Sequence, residues 1–401
     1  MPISCTQILG AVCSIILFSL GSQVFYLIPF YMYYPAMICT TNDGIVVDCD
    51  RERACSPDIK EYSFDWESHN TLNNWMTQLD LVCIPRYQIG LVGSISFIAF
   101  AVGSFLFTKQ ADKVGRHPVM IVASLVTPVC LTALYFGSKS LGLNFVYALM
   151  ILMALAYNPR SSTAYLYATE ILPPSKRLLF GTILFFIDGM VSVSAAVYFY
   201  YVGDQNLFFL IIGAIFVVAL AVMLIALPET PSFLLASGQG EIFRDSLEKL
   251  TGFKQSHSES LSNSKIEAAA RPETSFKQLW SNRQMRNNLV GVCVLSSTTA
   301  FCNYMIGYYT KYFPGSFYVN YGILGVADMF CMVYQSQIDR FFKNKVQSVV
   351  SFSLISIAAW SLLFLCLAGN IPRIVPLGIF ILRLNLSGLE NYRYHVVVAL
   401  F

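Results

Sequence analysis

Three ionisable side chains stand among neighbours that offer them little water. Asp188 lies in LFFIDGMVSV, Asp328 in GVADMFCM and Arg160 in LAYNPRSST. A charge inside an apolar run is costly and normally faces a partner, a wet cavity or a ligand. Each acid can therefore counter a cationic solute or carry a proton, or be a buried carboxyl held by Asn, Ser or Tyr. Tyr304, Tyr308 and Tyr312 recur at i, i+4 and i+8, which puts phenol rings on one helix face. Such a wall suits organic ions through cation–π contact or stacking. The same spacing also serves packing, and Tyr312 reads as an interfacial anchor. The sequence contains no P-loop, no G-x-S-x-G and no metal-ligand spacing, so it reads as a non-enzyme without a cofactor.

A second group of charges is compact. ADKVGRHP, residues 111–118, places Asp112, Lys113, Arg116 and His117 between two long apolar runs. Gly115 permits a tight backbone reversal there. Asp112 can accept hydrogen bonds from amides at a helix N-terminus, or pair with Arg116. QIDRFFKNK, residues 337–345, echoes the turn, with Asp339 and Arg340 at the matching place. Both turns can anchor a chain by their basic residues or latch two states through their charges. Arg160, Glu170 and Arg177 form a further expected network, with Glu170 near one span end and Arg177 opening the next helix.

These side chains must be positioned by membrane helices. Of the 401 residues 56% are hydrophobic and 12% are charged, against about 25% charged in soluble domains. The net charge of +3 is spread along the chain and does not form the clustered basic face of a nucleic-acid binder. Apolar runs long enough to cross hydrocarbon as helix predict spans at about 7–34, 88–108, 119–137, 143–168, 179–201 and 206–227. Four more follow at about 288–310, 316–336, 347–368 and 375–400. Period-two alternation is missing from these runs, which argues against strands. The basic residues Lys109, Lys113, Arg116, Lys176, Arg177, Arg340, Lys343 and Lys345 all fall on one face. That face is assigned to the cytoplasm, which makes both termini cytoplasmic.

The loop at 35–87 then faces outward. It is acidic and holds Cys39, Cys49, Cys55 and Cys83, which make two disulfides in one of three pairings or remain free thiols. Residues 236–287 are polar and Ser-rich, and read as a partly helical, partly flexible linker. It separates an N-terminal six-helix bundle, residues 1–235, from a C-terminal one, 288–401.

The turn resembles the signature G-x-x-x-D-[RK]-x-G-[RK]-[RK] between spans two and three of the major facilitator superfamily. Asp112, Lys113, Gly115 and Arg116 match it, while Thr108 and His117 depart from it. The second copy keeps Asp339, Arg340 and Lys343, with Phe342 in place of the Gly. NNWMTQLDLVC (73–83), YLYATEILPPSKR (165–177) and PETPSFLLASG (228–238) are similar to motifs of the organic cation/anion/carnitine transporter branch.

The resemblance implies an all-α polytopic fold, a charge latch that includes Glu229, and alternating access to small organic solutes, chiefly organic ions. It also implies twelve spans, against ten apolar runs here, and VVVALF stands close to where the family reads A-E-L-F-P-T. The second bundle is thus expected to be incomplete, at about four helices, with Arg383 facing lipid across an open flank. Arg383, Glu390 and Arg393 are expected to pair across a turn of the last span. A transporter-derived structural subunit, its flank covered by a protein partner, is the alternative reading. The plasma membrane is the expected location.

Overall fold

The computed structural model describes residues 3–107, 110–252, 280–341, 350, 353–357, 359–361, 363–364 and 374–400. The first span is a helix, α1 (Cys5–Tyr26), whose start is fixed by a capping box between Ser4 and Gln7. It breaks at Leu27 before a single turn, α2 (Ile28–Tyr31). Pro29 explains the break, since it has no amide to give the carbonyl one turn back.

The loop at 35–87 contains three short strands, β1 (Met37–Thr41), β2 (Val46–Cys49) and β3 (Ile59–Phe64), in the antiparallel order β2-β1-β3. A turn of helix, α3 (Arg51–Ala54), lies between β2 and β3. The expected spans are helical where they are described, and the loop adds a sheet that their hydropathy does not announce. Cys39 pairs with Cys49, and Cys55 with Cys83. Met37, Cys39, Ala54 and Val82 make the small core beneath the sheet. Arg51 fastens the loop by donating from Nε to the Val82 carbonyl at 2.8 Å and from Nη2 to that of Ile84 at 2.7 Å.

NNWMTQLDLVC forms the joint between loop and bundle. Asn74 caps a helical turn, α4 (Trp75–Gln78), and its Nδ2 donates to the Phe30 and Tyr33 carbonyls at 2.8 and 3.0 Å. Trp75 is fully buried against Tyr31 and Phe209. The motif thus closes the end of the first span with one buried amide and one large ring.

The remaining helices are α5 (Arg86–Phe107), α6 (Gln110–Val114), α7 (Arg116–Ile171), α8 (Pro174–Tyr201), α9 (Gln205–Ala226), α10 (Pro231–Ala236), α11 (Gly240–Thr251), α12 (Arg283–Tyr309), α13 (Phe317–Phe341) and α14 (Val375–Leu400). The third and fourth spans are two arms of α7 joined across Gly142, whose φ of 73° and ψ of −169° are not helical. Only glycine adopts that geometry without strain. Among the described residues six helices are long and apolar enough to cross a membrane, and Phe317–Cys331 and Val375–Leu389 are shorter apolar segments.

The chain folds as two compact units, Met1–Phe180 with Tyr198–Ala270, and Gly181–Val197 with Arg271–Phe401. In the first unit α7 packs on α1, α5 and α9. A Cβ on Gly103 would collide with the Leu155 carbonyl, so glycine sets how closely α5 and α7 approach. Within the region expected as a linker, α11 docks on this unit, where the Ser4 hydroxyl bonds the Leu250 carbonyl. Residues 253–279 lie outside the described residues. In the second unit α14 packs on α12 and α13. There Gly189 and Gly325 meet backbone to backbone.

Candidate functional site

The compact charged turn assembles around the N-terminus of α7. Gly115 precedes it with φ 119° and ψ 159°, a conformation reserved for glycine. The Glu229 carboxylate arrives from beyond the sixth span. It accepts from the amides of Arg116 at 3.1 Å, His117 at 3.1 and 3.2 Å, and Thr230 at 2.8 Å. An anion there satisfies free amides and the positive end of the helix dipole together. The Arg116 guanidinium pairs with Asp112 at 3.0 Å and Glu170 at 3.2 Å, and lies 5.5 Å from the Phe233 ring centroid. Thr230 Oγ1 donates to the other Glu170 oxygen at 2.6 Å, and the Ser246 hydroxyl donates to the Glu229 carbonyl. Spans two, three, four and six are thus tied at one point. Lys113 is exposed beside it.

Arg160 takes no part in this network. Glu170 is ten residues further along the same helix, about 15 Å at 1.5 Å per residue, too far for a contact. Arg177 is exposed and donates from Nε to the Leu172 carbonyl at 3.3 Å. Arg160 is 1% exposed, inside the bundle. Its Nη1 donates to Thr127 Oγ1 at 2.7 Å, and its guanidinium carbon lies 5.2 and 5.7 Å from the Tyr157 and Phe216 ring centroids. The expected grouping of Arg160, Glu170 and Arg177 is therefore replaced by Arg116, Glu170 and Thr230.

In the second unit Asp328 meets Arg383 in a two-pronged ion pair, Nε to Oδ1 at 2.9 Å and Nη2 to Oδ2 at 2.8 Å. Ser387 donates to Asp328, and Arg383 Nη1 donates to the Asn303 carbonyl and Oδ1 at 3.1 and 3.2 Å. Arg383 does not face lipid. Its side chain is 12% exposed because α13 and α12 supply the acid and the amide it needs. The expected pairing of Arg383 along its own span gives way to this contact between spans, and the side chains of Glu390 and Arg393 lie outside the described residues. Tyr321 is buried on α13, the helix that carries Asp328. Tyr304 is half-buried on the same helix as Tyr308. Asp188, Tyr308 and Asp328, named separately from the sequence, fall within this one unit, where Asp328 is paired with Arg383.

Sequence reasoning passed over Tyr321, Asn303, Ser387, Thr127 and Thr230. Thr230 had a signal, its place beside Glu229; the others are ordinary polar residues in apolar runs. The side chains of Asp339 and Arg340, and all of Lys109 and Lys343, lie outside the described residues. Among the described residues no group of three or more His, Cys, Asp or Glu could hold a metal ion.

The family model described as Major Facilitator Superfamily matches residues 20–391. An organic cation transporter-like protein of Drosophila melanogaster is 27% identical over 164 residues, covering 41% of this chain and 27% of that protein. Organic cation/carnitine transporter 4 of Arabidopsis thaliana is 22% identical over 298 residues, 70% of this chain and 55% of its own. Synaptic vesicle glycoprotein 2C of Mus musculus is 28% identical over 173 residues, 39% and 23% of the two chains. The aligned stretches span roughly a quarter to a half of those relatives' lengths. Among solved structures, a partially occluded inward-open form of the xylose transporter XylE from E. coli superposes with a TM-score of 0.64. It does so at 12% identity, over 98% of this chain and 86% of that one. XylE bound to 6-bromo-6-deoxy-D-glucose gives 0.62, also at 12%. At that identity the likeness is one of fold.

Proposed function

The chain belongs to the major facilitator superfamily and is a multi-pass membrane protein, and from that premise we propose that it transports small organic ions by alternating access. The observation that carries the proposal is the family match over residues 20–391. Two features of the structure support it. The Glu229–Arg116–Glu170–Asp112 cluster joins four spans by bonds that can be exchanged, as a latch between two states requires. The Asp328–Arg383–Asn303 network, with Tyr308 and Tyr321 on the same helices as Asn303 and Asp328, and Asp188 in the same unit, puts polar and aromatic groups inside a helical unit, where a solute would be held. Relatives named for organic cations and carnitine favour organic ions as the solute class. The two disulfides favour an outward-facing loop at 35–87, a cytoplasmic N-terminus and the plasma membrane.

The test is uptake by the purified protein in liposomes, with labelled tetraethylammonium, benzoate and carnitine as cation, anion and zwitterion. At least one should enter faster than into empty liposomes, and Tyr308→Ala should lower that rate. Uptake indistinguishable from empty liposomes for all three ends the transport reading, and the subunit reading takes its place.

A further inference from the structure

Arg160 has a buried hydrogen-bonding edge that the described residues leave unsatisfied. Nη1 is used by Thr127, but Nε and Nη2 find no protein partner among the described residues. Burying such donors unmade costs roughly 1–3 kcal/mol, more for charged groups. The guanidinium stays protonated under all ordinary conditions, so its charge cannot be shed by losing a proton. Water can satisfy the hydrogen bonds, yet it leaves the charge uncompensated among apolar helices. Tyr157 and Phe216 offer only their π faces. The compensating group must therefore be an anion.

Arg383 of the same chain shows what such an edge suits. Arg383 uses its own Nε and Nη2 to grip the two oxygens of Asp328. These two N–H groups lie parallel at carboxylate spacing. The first span packs closely on Arg160. A Cβ at residue 21 would collide with Cζ, Nε and Nη2, so only glycine lets α1 close over the guanidinium. Ser14, two turns before Gly21, Ser124, one turn before Thr127, and Thr163, one turn after Arg160, are buried with hydroxyls that have no partner among the described residues.

We infer that the Nε–Nη2 edge of Arg160, between the first and fourth spans, is a binding site for the carboxylate of an anionic or zwitterionic solute. The inference takes from the preceding reading only that the chain carries a solute. The carboxylate has two sources, a transported solute or a small acid retained in the bundle.

The experiment is thermal unfolding of the full chain in lipid nanodiscs, titrated with benzoate and, as matched controls, benzamide and chloride. Benzoate is expected to raise the midpoint of the wild type, and benzamide and chloride are not. Arg160→Lys keeps the charge without the fork and should weaken apparent benzoate affinity about tenfold or more, and Arg160→Gln should abolish the shift. Gly21→Ala, which leaves Arg160 in the sequence but crowds it, should weaken binding as well. A wild-type midpoint unmoved by benzoate, equal shifts in wild type and Arg160→Gln, or an equal shift with chloride each overturns the site. Labelled benzoate in liposomes separates the two sources. Arg160-dependent uptake assigns the carboxylate to cargo, whereas binding without uptake keeps the site and overturns that assignment. Uptake of cations with no benzoate binding sinks this inference and leaves the transport reading standing.

Discussion

Replacing Glu229 with Gln isolates what its charge does for the third span. Gln keeps one carbonyl oxygen, enough for the Arg116 and Thr230 amides that Oε1 serves at 3.1 and 2.8 Å. It replaces Oε2 by an NH2 group, so the His117 amide keeps only Oε1, at 3.2 Å, and faces a second donor. Bonds to a charged acceptor are worth about 1.5–3 kcal/mol and neutral ones about 0.5–1.5. Three bonds to Oε1, each weakened by about 1 kcal/mol, come to roughly 3 kcal/mol before screening. The lost charge–dipole attraction adds about 0.3–1 kcal/mol. Glu229 is half-buried, and contributions in one cluster do not add fully, so about 2 kcal/mol is a fair net figure. That corresponds to roughly thirtyfold in a local opening equilibrium. The assay is residue-resolved hydrogen exchange at Arg116 and His117, whose amides have no partner one turn earlier in the helix. Protection at both should fall roughly thirtyfold in Glu229→Gln, while amides in α13 should not change. Protection within twofold of wild type would show that the carboxylate does not cap this helix, and the latch argument would lose its central bond.

Three further outcomes follow from the same reasoning. Peptide mapping without reductant should recover Cys39 joined to Cys49 and Cys55 to Cys83, and any cross-pairing refutes the loop's architecture. Asp328→Asn strips Arg383 of its carboxylate and should cost on the order of 3–5 kcal/mol, seen as a lower unfolding midpoint. The Asp328→Leu, Arg383→Leu double variant should recover most of that loss, and equal damage in single and double variants would mean the pair is not the cause. Burial, followed by the hydrogen bond and charge of Asp80, pushes the Tyr62 hydroxyl up from 10.0 to about 12. Because the folded value is raised, the contribution is complete below pH 10 and is lost as pH climbs towards 12. Limited proteolysis of the loop should therefore stay level from about pH 8 to 9.5 and accelerate above 10. A transition inside that plateau counts against the contact.

The spans were legible because hydrocarbon thickness dictates a length that hydropathy displays directly, as in the sixth span, expected at 206–227 and found at Gln205–Ala226. Strands of four to six residues in the loop leave no comparable trace, and neither does the choice among three cysteine pairings. The charged turn and PETP could each be recognised, but not the hydrogen bond that runs 113 residues from Arg116 to Glu229. Arg160 was grouped with the wrong partners because sequence proximity suggested a network where helical rise forbids it. Asp328 and Arg383 were both singled out, and their pairing across 55 residues was not. Composition ranks residues by cost, and only packing decides who meets whom.

The two bridges of the loop follow one another along the chain, with separations of 10 and 28 residues, and do not interleave. A nascent chain entering an oxidising compartment can close Cys39–Cys49 before Cys55 has arrived. Cys55 then finds no free thiol within the loop until Cys83 emerges, which at roughly 5–20 residues per second is a matter of seconds. Correct pairing is therefore the pairing that the order of synthesis produces unaided. The loop can mature at the pace of the ribosome, without the seconds to hours that reshuffled disulfides need.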